Sequence, residues 1–309
     1  MMSKTAKQQH DTKIIDGLHI ARTLERRIAE RTKTLQHTHG IIPALGVILV
    51  EGNEASRIYV NHKMKIAESI GISARLKTLP PDVKAADIAR QIEGWNNDPE
   101  LHGILLQLPL PEHIDSYPLL QAVAPQKDMD ALNALNAGKL FWAQKKQPVS
   151  CTPMGCLLLL ESVITDFTGL HAVVVGASQL VGRPMAQLLL QKNCTVTNAH
   201  IATRDLDALT RQADILVVAT GSPGLIRGDM VKPGAAVIDV GITRLDDGRI
   251  TGDVCFDEVK GIASALTPVP GGVGPMTIAC LMANTLTAAE QSAGIKTESV
   301  FALYQNHCR

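Results

Sequence analysis

The sequence predicts an α/β protein of two domains, each built on a mostly parallel sheet. Three observations predict it. Short aliphatic or β-branched runs alternate with amphipathic stretches along most of the chain, the βαβα order that places helices between parallel strands. At 309 residues the chain is longer than a single core usually serves. A polar stretch, Ala143 to Ser150, separates two such series and is the candidate linker.

The elements follow in order. From Leu18 to about Gln36, the residues Ile20, Leu24, Ile28 and Leu35 recur at helical spacing among Arg, Lys and Glu, giving an amphipathic first helix. Ala44 to Val50 is a short unbroken apolar run and reads as a buried strand. Ala55 to Ile70 then reads as a helix, Ala74 to Thr78 as a strand, Ala85 to Asn96 as a helix and Gly103 to Leu106 as a short strand. A second series opens after Pro153 with a helix to Ile164, strand His171 to Val175, helix Val181 to Leu190, strand Thr195 to Asn198 and helix Leu206 to Gln212. Strands Ile215 to Ala219 and Ala236 to Val240 continue it, and a last helix, from about Met276 to Ser292, is long enough to return to the first domain.

Composition excludes several classes of partner. Lys plus Arg and Asp plus Glu each number 30, so no net field would hold the chain on nucleic acid or an anionic membrane. Aromatic residues make up only 3%, too few for base-stacking platforms, which leaves a small molecule as the expected partner. Six cysteines (Cys151, Cys156, Cys194, Cys255, Cys280, Cys308) show no C-x-x-C pair, so neither a zinc site nor a disulfide framework is expected. That usage suits a reducing, cytoplasmic compartment, with most thiols buried as small hydrophobes. Met1 to Lys13 is polar, without the apolar core of a signal peptide, and the tails Met1 to Lys13 and Gly294 to Arg309 read as lightly packed. No apolar run approaches the roughly 20 residues that span a bilayer.

Val173-Val174-Val175-Gly176-Ala177-Ser178-Gln179-Leu180-Val181-Gly182-Arg183-Pro184 is a β-branched strand running into a glycine turn and then a helix. Exposed N–H groups at the turn and the positive end of the helix suit a diphosphate, the arrangement of a Rossmann-like dinucleotide site. Ala177 and Ser178 stand where G-x-G-x-x-G has its second glycine, and a plain tight βα turn is the competing reading. The next strand ends in Asn198-Ala199-His200-Ile201 with no Asp or Glu to hold a ribose 2′-hydroxyl. That permits a 2′-phosphate within reach of Arg183 or Arg204 and favours NADP, with NAD possible; solvated arginines are the alternative.

Two further segments carry chemistry. In Pro268-Val269-Pro270-Gly271-Gly272-Val273-Gly274-Pro275-Met276-Thr277, prolines fix φ and glycines permit positive φ, so the run is a shaped loop suited either to close approach of a ligand or to a rigid turn before a helix. Tyr59 and Lys63 lie one helical turn apart, a ring beside an amine that apolar neighbours could partly desolvate; a solvated surface pair is the competing reading.

Tyr59 to Lys63, Leu106-Gln107-Leu108-Pro109-Leu110-Pro111, Lys127-Asp128-Met129-Asp130, the Gly176 turn and the Pro268 run come in one order. In that order the chain resembles the bifunctional methylenetetrahydrofolate dehydrogenase/methenyltetrahydrofolate cyclohydrolase family, from about Ile14 to Ala289. The resemblance implies a homodimer with a folate-binding catalytic domain over residues 14–150, completed by the C-terminal helix 276–293. Residues 151–275 would form a Rossmann-like, doubly wound NAD(P)-binding domain. It implies oxidation of 5,10-methylenetetrahydrofolate and hydrolysis of the methenyl product to 10-formyltetrahydrofolate, a step in one-carbon metabolism that serves purine biosynthesis. Lys63 would be the acid/base, Gln107 would orient it, Tyr59 would stack on the folate and Asp130 would hold the pterin edge. The folate site would extend to Leu106, Leu108, Pro270, Gly271, Gly272, Val273, Gly274, Pro275 and Thr277. Gly176, Ala177, Ser178, Val181, Gly182, Arg183, Ile201, Gly241 and Ile242 would line the cofactor, though Gly241 also reads as a turn or bulge glycine.

The chain departs from the family pattern in four places. Ala131 follows Asp130 where the family usually has Gly, and an added methyl matters if that position needs positive φ. Ser150 replaces a proline, Ile201 a frequent serine, and Ala177 an arginine found in some relatives. A single-activity relative and a non-catalytic folate-binding protein are the alternative readings.

Overall fold

A computed structural model describes residues 11–144, 147–296 and 298–301. Most of both expected tails, with Cys308, falls outside the described residues.

The chain opens with β1 (Lys13–Ile14) and α1 (Gly17–His39). It continues through β2 (Ala44–Val50), α2 (Glu54–Ser69), β3 (Ser73–Leu79), α3 (Ala85–Asn96), β4 (Gly103–Leu106), α4 (Ser116–Ala122) and α5 (Ala134–Phe141). Then come α6 (Cys151–Glu161), β5 (His171–Val175), α7 (Gly182–Gln191), β6 (Thr195–Ala199), α8 (Leu206–Thr210), β7 (Ile215–Val218) and β8 (Ala236–Asp239). A small hairpin, β9 (Thr243–Arg244) with β10 (Ile250–Thr251), precedes α9 (Phe256–Val259), β11 (Ala265–Leu266) and α10 (Val273–Ser292).

The chain divides into two compact units, one holding the residues up to Ile20 with Thr152–Met276, the other Ala21–Cys151 with the residues from Thr277 on. The first carries a six-stranded parallel sheet in the order β6-β5-β7-β8-β11-β1. We call it the large-sheet unit. Its inner strands β5, β7 and β8 are short buried runs dominated by Val, Ile, Leu and Ala, as expected where helices cover both faces, and Val173, Leu216, Val218, Val237 and Leu266 meet in one core. Strand order reverses between β5 and β7, and in such sheets ligands sit beyond the carboxyl ends at that reversal.

The small-sheet unit has three parallel strands in the order β3-β2-β4. Every residue of β2 is buried, whereas β3 is an edge strand with exposed positions along its length. Ile48, Ile88, Ile92, Ile104 and Leu106 form its core, each large aliphatic contributing about 1.5–3 kcal/mol on burial. The C-terminal helix belongs here: Glu290 of α10 takes both its oxygens to Arg31 of α1 at 2.5 and 2.7 Å. A bidentate pair with one partner almost fully buried tolerates neither member alone.

Two differences from the sequence reading have physical causes. Lys13 and Ile14 pair with Ala265 and Leu266, so the start of the chain joins the large-sheet unit and the other unit begins at Ala21 rather than at residue 14. A two-residue strand has no periodicity to read. Helix α10 starts at Val273, so Val273 to Thr277 is helix rather than loop. Pro275 falls in its first turn, where a proline needs no N–H partner.

Candidate active site

Helix α2 places the chemistry of the small-sheet unit. Asn53 caps it, its side chain accepting the Ser56 N–H at 2.9 Å. The buried face then runs Ser56, Val60, Lys63, Ala67, so a lysine sits where the period calls for a hydrophobe. Lys63 is only 5% exposed. Its Nζ donates to Gln107 Oε1 at 2.9 Å and lies 4.8 Å from the centre of the Tyr59 ring. Gln107, just past β4, is held in turn by its own Nε2, which donates to the Leu108 carbonyl at 2.5 Å. The oxygen of the amide is therefore turned to the amine, with no formal charge to lock the proton on. Burial holds the Lys63 amine below the usual lysine range, opposed by the nearby Asp130 and Cys151. Burial pushes the Tyr59 phenol up, and its hydroxyl hydrogen-bonds with Thr277 of α10.

The Asp130 loop is anchored from beneath. Asp128 is buried, and its Oδ2 accepts the Asn133 N–H at 2.8 Å and the Asn136 side chain at 3.0 Å. Burial still raises the Asp128 carboxyl above the ordinary range. Ala131 takes φ of 54°, the left-handed conformation that glycine adopts at least cost. On the far side, Asn284 of α10 donates to the Met129 and Val149 carbonyls at 2.8 and 2.9 Å. Cys151 is fully buried, hydrogen-bonds to the Met129 carbonyl at 3.2 Å and shares a further bond with Asp130. Burial raises its thiol well above the usual range. Tyr59, Lys63, Gln107, Asp130 and Thr277 are thus brought together in one unit. Pro270 to Pro275 belong to the other.

In the large-sheet unit the backbone does the corresponding work. Gly176, after β5, has φ of 121°, and a Cβ there would fall 2.2 Å from the Ala219 carbonyl oxygen. At Gly182 a Cβ would fall 1.9 Å from the Gly176 oxygen, so helix α7 meets the turn only because both residues lack side chains. Ser178 Oγ accepts the Val181 N–H at 3.1 Å, and among the described residues no N-cap side chain bonds the start of α7. An uncapped helix start at the order reversal of the sheet fits a diphosphate. Arg183 is exposed, and its Nε donates to the Ala177 carbonyl at 3.0 Å. Asn198, in the place of the usual acid, donates to the Val174 and Gly176 carbonyls at 2.9 and 2.8 Å. Ile201 is fully exposed on the turn after β6.

Several expected ligand glycines have a packing reason of their own. A Cβ on Gly241 would fall 2.3 Å from Asp253 Oδ1, and one on Gly272 would fall 2.6 Å from the Pro268 carbonyl oxygen. Gly17, at the start of α1, packs against Gly272 so closely that its Cβ would meet the Gly272 oxygen at 1.9 Å. Ile242 is exposed beside Gly241. Sequence reasoning missed Asp128, Cys151 as a polar partner, Asn284 and the Asp239–Asp253 pair. Of these only Asp128 lay in a motif already singled out.

An open parallel sheet with a glycine turn at its reversal, joined in one chain to a unit that buries a lysine against a glutamine, defines a two-unit α/β dehydrogenase-type protein. Known proteins agree. Residues 15–130 match the tetrahydrofolate dehydrogenase/cyclohydrolase catalytic domain and residues 150–293 its NAD(P)-binding domain. The chain belongs to the tetrahydrofolate dehydrogenase/cyclohydrolase family. It is 50% identical over 285 residues to bifunctional protein FolD 2 of Paracoccus denitrificans, covering 91% of this chain and 94% of that one. The bifunctional FolD structure from Campylobacter jejuni superposes with a TM-score of 0.89 at 42% identity, over 91% of this chain and 99% of that one. The Trypanosoma brucei FolD, solved with NADP cofactor and inhibitor, gives 0.87 at 37% identity, over 91% and 98%.

Proposed function

We propose that this chain oxidises 5,10-methylenetetrahydrofolate to the methenyl compound with NADP and hydrolyses that product to 10-formyltetrahydrofolate. The observation that carries the reading is the buried Lys63 amine on Gln107 Oε1 beside Tyr59, in a chain whose relatives are bifunctional FolD proteins. The nicotinamide ring would accept the hydride. The Gly176 to Arg183 turn would hold the diphosphate, Gly241 and Ile242 would flank the ring, and Arg183 would meet the 2′-phosphate that the Asn198 end of β6 leaves room for. The protein's part in that step is positioning.

Hydrolysis needs a base at the methenyl carbon. Neutral Lys63 takes one proton of the attacking water, the resulting ammonium returns it to the folate nitrogen as the ring carbon–nitrogen bond breaks, and the remaining hydroxyl proton is released to solvent as the formyl carbonyl forms. Gln107 keeps the amine aimed without fixing its charge. Tyr59 lies flat against the pterin, and Asp130 accepts N–H groups from its amino edge, two bonds that one carboxylate can take. Among the described residues no helix is long and apolar enough to cross a membrane, and we place the protein in the cytoplasm. We also infer a homodimer, which the exposed edge strand β3, with Leu76 41% exposed, and Ile58 on α2, 55% exposed, support.

The test is the initial rate of methylenetetrahydrofolate oxidation with NADP or NAD at matched concentration, with methenyl decay followed in the same trace. Oxidation with decay, faster with NADP, is the expected result; oxidation without decay would leave a single-activity dehydrogenase. Arg183→Ala should remove most of the NADP preference, and equal ratios in the two proteins would exclude the assigned 2′-phosphate contact.

A further inference from the structure

Two buried carboxylates lie at the carboxyl edge of the large sheet, Asp239 as the last residue of β8 and Asp253 in the chain after β10, with no part in the chemistry above. Asp253 is fully buried, and its Oδ2 accepts three hydrogen bonds from one turn: the Thr220 N–H at 2.6 Å, the Thr220 hydroxyl at 2.9 Å and the Gly221 N–H at 2.9 Å. That turn follows β7. Oδ1 of Asp253 has no hydrogen-bond partner among the described residues and is covered by Gly241, which follows β8. Asp239, 4% exposed, accepts the Gly241 N–H at 3.0 Å and the Asp253 N–H at 2.9 Å on Oδ1, and the Val254 N–H at 3.0 Å on Oδ2. A Cβ on Gly252 would fall 1.9 Å from Asp239 Oδ2, so the chain gives up side chains to admit both acids.

Leaving a buried carboxylate oxygen unpaired is costly, and a neutral side chain could tie one turn to another without that cost. What the charge adds is rigidity. Three charge-assisted bonds fix the turn after β7, whose Ala219 oxygen touches the Gly176 turn, and through Asp239 the same pair sets the height of Gly241.

We propose that Asp253 is a positioning residue for the cofactor, holding the Thr220–Gly221 and Gly241–Ile242 turns at the level the dinucleotide requires. This deepens the function proposed above and rests on it.

The experiment compares wild type with Asp253→Asn in three readings: NADP dissociation constant by calorimetry, dehydrogenase KM and kcat, and cyclohydrolase rate. Wild type binding NADP and oxidising substrate is the control for the function itself; if it does neither, that reading fails first. The variant should bind NADP about tenfold or more weakly, with KM for NADP raised more than kcat is lowered and cyclohydrolase within about twofold. An unchanged dissociation constant overturns the proposal, as does a parallel fall in cyclohydrolase, which marks a merely structural role. Should Asp253→Asn not fold, Thr220→Val removes one of the three bonds to Asp253, together with the Ser222 N–H bond to the same hydroxyl at 3.2 Å; it should weaken NADP about threefold, and no weakening overturns the proposal.

Discussion

Under the proposed function, the two units carry out recognition in opposite ways. In the small-sheet unit side chains do it: an amine, an amide, a phenol and a carboxylate converge from α2, the end of β4 and the Asp130 loop, with α10 adding Thr277. In the large-sheet unit backbone does it, and the residues that matter are those without side chains, Gly176, Gly182 and Gly241. The difference teaches where each site is fragile. A side-chain site fails by losing a functional group with its frame intact, and a backbone site fails by gaining atoms that push its turns apart.

The sharpest break of that contrast is Lys63→Met, which keeps the volume and removes the amine. Cyclohydrolase should fall by about a hundredfold or more while NADP binding, measured by calorimetry, stays put. Full hydrolysis by this variant would take the acid/base role away from Lys63. Gly182→Ala is its counterpart in the other unit. One methyl must displace α7 or the Gly176 turn, costing about 1–3 kcal/mol in denaturant unfolding and most of the NADP affinity, with cyclohydrolase kept.

Gln107→Glu tests why the lysine's partner is an amide. Burial lowers the Lys63 pKa, so the neutral amine is reached at lower pH than in a solvated lysine, and the cyclohydrolase rate should climb with pH up to that lowered value. The sign for stability is the same: the folded state sheds this proton earlier than the unfolded chain, so the group favours folding as pH rises towards the unfolded value. A carboxylate at 107 favours the ammonium and should move the climbing limb up by about one pH unit, leaving roughly a tenth of the rate at neutral pH. A pH profile that superposes on wild type would show that Gln107 does not tune the amine.

Ala131→Gly has the smallest expected effect. Left-handed alanine costs more than glycine, so the variant should gain about 0.5–1 kcal/mol in thermal unfolding, with both activities little changed. A loss of stability would mean the alanine methyl is packed to advantage.

Much of this was legible in the chain. The strands Ala44–Val50, Gly103–Leu106 and His171–Val175 and the helix Ala85–Asn96 have the bounds their patterns indicate, because unbroken β-branched runs and a strong apolar period leave little choice. Lys63 was visible as a motif but not as a buried amine, since an isolated Tyr–Lys pair at one helical turn is ordinarily solvated. Helices α4 and α5 escaped notice, being short and interrupted by Pro118 and Gly138. Asp239 and Asp253 were unremarkable acids in sequence; only their common burial marks them.

By itself the sequence determined most of the longer strands and helices, where the glycine turn opens and which residue types could do folate chemistry, because these rest on neighbours a few positions apart. Tertiary structure alone decided that Lys63 faces Gln107 across 44 residues, that Asn284 clasps Met129 across 155, and that Asp253 holds Thr220 across 33. Those contacts follow from how strands register and helices pack. A buried charge or hydrogen bond has its energy only once the elements that enclose it have come together.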